Sequence, residues 1–109
     1  MALVHAKPAT PIDVRPFGPE LGAQNTQALF KSEHLEVMRL VLKAGERLAP
    51  HKVSGEITVH CLEGELEVSA DEQQVRLGAG RMLYLAARCV HGVSALSDAS
   101  ALVTIALRA

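Results

Sequence analysis

The stretch Gly45-Glu-Arg-Leu-Ala-Pro-His51-Lys-Val53-Ser-Gly-Glu-Ile57-Thr-Val59-His-Cys61-Leu-Glu-Gly64 says most about how this chain folds. In its second half Ile57, Val59 and Cys61 alternate with Glu56, Thr58 and His60. That period of two places one set on each face of a strand. The Glu63-Gly64 pair then reads as a turn, and an apolar run resumes beyond it.

The same pattern extends in both directions. Short apolar runs at 27–32, 35–43, 56–62, 66–69, 74–77, 82–85, 90–96 and 100–107 read as strands, with turns at 63–64, 70–72 and 78–80. In the last run Val103, Ile105 and Leu107 alternate with Thr104 and Ala106, which suits a strand with one buried face. Strands this short, each needing a partner, make a β-sandwich or barrel rather than a βαβ sheet. Pro8, Pro11, Pro16 and Pro19 break up the start of the chain. Proline fixes φ and drives its preceding neighbour to extended geometry, so residues 1–22 are expected to form an irregular or edge-strand arm and residues 23–109 a single all-β domain.

The composition fits one small domain with an aliphatic core: 49% of the 109 residues are hydrophobic, yet there are only two Phe, one Tyr and no Trp. A formal net charge of −1 and the absence of a basic run argue against nucleic acid or an anionic membrane as partner. The longest wholly apolar run, 82–87, is far short of the ~20 residues of a spanning helix. The N-terminal apolar stretch is too short for a secretory signal. Cys61 and Cys89 form no Cys-x-x-Cys pair, so they read as reduced thiols packed as small hydrophobes in a cytoplasmic protein.

Residues 40–96 resemble the cupin superfamily. Its first motif sets a glycine ahead of a His-x-His pair, then a glutamate, then a closing glycine. Gly45, His51 and Gly64 match, while Val53 stands at the second histidine and Ile57 at the glutamate. The segment Val59-His-Cys-Leu-Glu-Gly-Glu-Leu looks like the hairpin inside that motif. In the second motif Gly80 and His91 match, whereas Ala86, Arg88 and Ala95 stand where proline, glycine and asparagine are common. The resemblance implies a cupin-type jelly-roll β-barrel, paired as a homodimer through sheet edges and the arm. Apolar residues on both faces of the 35–43 run (Leu35, Val37 and Val41 against Met38, Leu40 and Leu42) also leave surface to hide.

The resemblance further implies a barrel pocket, lined here by His51, Val53, Ile57, Val59, Tyr84 and His91. A catalytic transition metal wants three or four N or O donors with one position open. Val53 and Ile57 donate nothing, so Fe, Mn, Ni or Zn would be weakly held by His51 and His91 alone, unless a bulge at Ser54-Gly55 turned Glu56 inward. A small-molecule-binding protein is therefore the first expectation. The alternative is a metal-dependent dioxygenase, isomerase or decarboxylase of a small organic acid. Ranked last is a metal-free epimerase using His51 or His91 as base and Tyr84 as acid. Glu63, Glu65, Glu67, Asp71 and Glu72 read as a solvated face.

Overall fold

The computed structural model describes residues 5–107. Residues 1–4 and 108–109, the outer ends of the expected arm and barrel, lie outside it. Residues 5–17 run without regular structure into a short 3₁₀ turn, Gly18–Ala23. Among the described residues nine strands follow: β1 (Gln27–Lys31), β2 (Leu35–Leu42), β3 (Arg47–His51), β4 (Ile57–Glu63), β5 (Glu65–Ala70), β6 (Gln73–Gly78), β7 (Met82–Leu85), β8 (His91–Ala95) and β9 (Ala99–Ala106). They form a five-stranded sheet, β1-β2-β9-β4-β7, and a four-stranded sheet, β3-β8-β5-β6. The pairs are all antiparallel.

The alternating runs imply a sandwich or barrel, and the strands form the jelly-roll barrel that the family resemblance implies. Ile57, Val59 and Cys61 of β4 sit opposite Ile105, Val103 and Ala101 of β9, and Met38, Leu40 and Leu42 of β2 flank β9 on its other side. Across the barrel they meet Leu66 and Val68 of β5, Leu77 of β6 and Val93 of β8. Burying each such aliphatic side chain stabilises the fold by about 1.5–3 kcal/mol.

One strand was not legible as such. All of β3 is exposed, and it carries Pro50 and no apolar alternation. It survives as the outer strand of its sheet, where a residue without an N–H costs no ladder bond.

The outer face of β2 is buried too. Arg39 and Val41 are 3% and 6% exposed because the chain before β1 lies over them. Thr26 Oγ1 accepts from Val41 N at 2.8 Å and donates to Val41 O at 3.2 Å. Phe17 covers the Arg39 guanidinium at 3.6 Å from ring centroid to Cζ. Part of the apolar surface expected to seek a second copy is thus covered by the chain's own arm.

Glu63 departs from the expected solvated face. A bulge interrupts the β4–β9 register between Cys61 and Glu63, so Glu63 pairs with Ser100, whose other neighbour is Val41 on the outer face. Strict alternation from Cys61 would have sent this carboxylate into the core. Turned outward beneath the arm, it accepts from Ser100 Oγ at 2.6 Å, Phe17 N at 2.9 Å, Gly18 N at 3.1 Å and Arg39 Nη2 at 3.2 Å. Its side chain is 13% exposed and that of Arg39 4%.

Candidate functional site

The barrel holds a cavity of about 420 Å³ between its two sheets. Its walls are aliphatic: Met38 and Leu40 from β2, Ile57 and Val59 from β4, Val103 and Ile105 from β9, with Val93 of β8 across from them. Leu48, Ala49, Pro50 and His51 of the outer strand β3 complete it. Leu48 and His51 are also solvent-exposed, so the cavity opens beside β3.

His51 and His91 are the polar side chains of this lining. Their meeting depends on a bulge in β3. Leu48 pairs with Val93 and His51 with His91, so β3 has one residue more than β8 between these pairs. In regular alternation Pro50, not His51, would share the inner face with Leu48. Pro50 has no N–H to lose from the ladder, and the extra residue turns His51 in to face its partner. The two rings lie 4.5 Å apart, tilted by 53°.

Backbone carbonyls orient both rings. His91 Nδ1 donates to Cys89 O at 3.0 Å, and His51 Nδ1 donates to Ala49 O at 3.2 Å. A carbonyl only accepts, so in each neutral ring the proton sits on Nδ1 and Nε2 is left as a bare acceptor. Neither Nε2 has a hydrogen-bond partner among the described residues. Such a pair can accept hydrogen bonds, accept a proton, or bind a cation.

Of the expected pocket residues, His51, Ile57, Val59 and His91 line this one cavity, and Val53 and Tyr84 do not. Val53 follows the end of β3, where strand alternation from His51 no longer holds. It packs half-buried against the edge of the core. Tyr84 pairs with Thr58, which lies between the inward Ile57 and Val59, so it projects from the opposite face and is 71% exposed. The pairing of a histidine base with Tyr84 across the pocket is therefore not available. Glu56 is exposed, and no bulge at Ser54-Gly55 turns it in. Gly55 has another role: a Cβ there would strike the Ala106 carbonyl, so the residue lets β9 pass closely. Of the cavity residues missed in the sequence, Met38, Leu40, Val93, Val103 and Ile105 carry only the general signal of aliphatic side chains on strands, and Leu48, Ala49 and Pro50 belong to the strand that was not legible.

The donor set does not fit a resident metal. Among the described residues no three His, Cys, Asp or Glu side chains converge. Burial pushes the Cys61 thiol up, and burial followed by the Asp71 charge does the same to Cys89. Both therefore remain protonated at neutral pH and make poor ligands or nucleophiles. Cys89 is half-buried rather than fully packed away.

Known proteins place this architecture. A sequence model described as the cupin domain matches residues 38–107, well over half of the chain. The chain belongs to the cupin family. A comparison with curated proteins finds no match. Among solved structures, this cupin is similar to an RmlC-like cupin protein from Desulfovibrio desulfuricans, at 28% identity and TM-score 0.70, covering 98% of this chain and 97% of that one. The TT1209 protein from Thermus thermophilus is 30% identical with TM-score 0.68, covering 74% and 80%. An RmlC-like cupin from Methanocaldococcus jannaschii, described as a double-stranded β-helix, shares the fold at 17% identity and TM-score 0.74, covering 89% and 92%. No helix among the described residues is long and apolar enough to cross a membrane.

Proposed function

We propose that this cupin binds a small molecule inside the barrel, with His51 and His91 holding its polar end and Ile57, Val59 and Val103 its apolar body. The observation that carries this reading is the combination of a cavity of about 420 Å³, an aliphatic wall and two convergent imidazoles at one end. Concave, largely apolar sites with a few placed polar groups are the usual form of small-molecule pockets. Filling the cavity tests it. Val103→Phe should leave the protein folded, because the ring has empty space to enter, yet abolish the stabilisation that apolar small molecules give in a thermal-shift screen. Equal stabilisation of the variant and the parent would place binding elsewhere.

A metal-dependent enzyme acting on a small organic acid is the second reading. One observation favours it: imidazoles that ligate metals typically donate their other N–H to a carbonyl or carboxylate, as both rings do here. It lacks the third donor. Stoichiometric Fe, Mn, Ni or Zn in purified protein, lost in His51→Ala, would establish this reading in place of the first.

We also propose a cytoplasmic homodimer formed through the outer face of the five-stranded sheet. One row of that face runs Tyr84, Thr58, Thr104, Val37 without a charged side chain, beside exposed Met82 and Leu35. Light scattering at micromolar concentration should give twice the chain mass, and Tyr84→Lys should give the monomer. A monomeric parent protein would rule the dimer out.

A further inference from the structure

Resting on the reading of the barrel cavity as the binding site, we infer that its occupant is a small, mostly hydrocarbon molecule whose polar end donates hydroxyl hydrogens, a phenol or alcohol, rather than a carboxylate or an ether. Hydrogen-bond polarity selects this occupant. The cavity's polar side chains are His51 and His91, and each has its Nδ1–H committed to a backbone carbonyl. What remains in the neutral rings is two acceptors, with no lysine, arginine, serine, threonine or tyrosine side chain among the described residues of the lining.

While both rings are neutral, an ionised carboxylate, being acceptor-only, would set its lone pairs against those of Nε2. Beside neutral rings it would also bury an unpaired charge among aliphatic walls, which is strongly unfavourable. An ether or ketone meets the same mismatch without the charge. A hydroxyl resolves it, since the O–H hydrogen satisfies an Nε2 that has no partner among the described residues. The rings lie 4.5 Å apart at the same end of the cavity, so the head can be shared between them while the body packs on Ile57, Val59 and Val103.

Four probes of nearly one shape separate the possibilities: para-ethylphenol, para-ethylanisole, para-ethyltoluene and para-ethylbenzoate. They are titrated at about pH 8, where imidazole in general is neutral, while the methyl resonances of Val59 and Val103 are followed. The phenol should bind about tenfold more tightly than the anisole or the toluene, the scale of one buried hydrogen bond, and the benzoate most weakly. His91→Leu and His51→Leu should each reduce the phenol's advantage while keeping the toluene's affinity. His51 is exposed, so its variant tests the idea even if the buried substitution disturbs folding. An anisole that binds as well as the phenol, a benzoate that binds best, or an advantage untouched by both variants overturns the inference and leaves the cavity as a binding site. If none of the four, the hydrocarbon included, moves a cavity methyl, the binding-site reading falls and this inference with it.

Discussion

Replacing Glu63 by alanine should cost the protein about 3 kcal/mol, the scale on which removing one partner of a buried ion pair destabilises a fold. The carboxylate is the hub beneath the arm. It accepts from Ser100, from the backbone N–H groups of Phe17 and Gly18, and from Arg39. Without it Arg39 keeps its bonds to Arg15 O at 2.7 Å and Ser100 Oγ at 3.2 Å, but its charge is buried without a counter-ion. Its Nε–H is already buried without a partner among the described residues. Arg39→Met should cost less, about 1–2 kcal/mol, because Glu63 retains three donors while the methionine covers the same surface.

Urea unfolding of the two variants gives both numbers. A Glu63→Ala loss within about 0.5 kcal/mol of zero would show that the network is slack and the arm loosely held. The same network gives a pH signature. Burial pushes the Glu63 carboxyl up, but the hydrogen bonds from Ser100, Phe17 and Gly18 and the Arg39 charge outweigh it, so the net shift is below the ordinary value of 4.5. The unfolded chain therefore takes up this proton first as pH falls. The stabilisation is complete above the unfolded value and is lost as pH drops through the lower folded one. In Glu63→Ala this part of the acid dependence should vanish.

Gly64→Ala should be at least as damaging, at roughly 4 kcal/mol or loss of folding. Gly64 sits at φ +78°, in the left-handed region, between β4 and β5. A Cβ there would run into the backbone carbonyl oxygen of Asp98 and lie 2.9 Å from Ala99 Cβ. Neither can yield cheaply, because Ala99 is buried at the start of β9 and backbone, not a flexible side chain, is in the way. Gly80 is the control. Its φ is +83°, but a Cβ would meet nothing within 4 Å, so Gly80→Ala should lose only the left-handed strain, about 1–2 kcal/mol. Comparable thermal-unfolding midpoints for the two variants would mean that strain alone, not close approach, requires Gly64.

The contrast between particular residues shows how far the sequence could be read. Ile57, Val59 and Cys61 point inward as their alternation requires, and the Val103–Ile105 face does the same in β9. Three features escaped. The strand β3 lacks apolar alternation because both its faces meet solvent, and it exists through pairing with β8. Glu63 looked solvated among neighbouring acids, and the signal that could have marked it, an arginine amid the apolar residues of β2, needed a partner strand to be interpretable. Tyr84 and Val53 looked like pocket residues by position in a motif, yet facing is set strand by strand.

Period and composition were enough for an all-β sandwich or barrel with an aliphatic core, and the family resemblance narrowed this to a barrel with pocket histidines on two separate segments. Where His51 and Glu63 point was settled by pairing. A bulge is a mismatch in count between two strands, and neither strand records it alone. In β3 the extra residue turns an imidazole toward His91, and in β4 it lifts a carboxylate out of the core to meet Arg39.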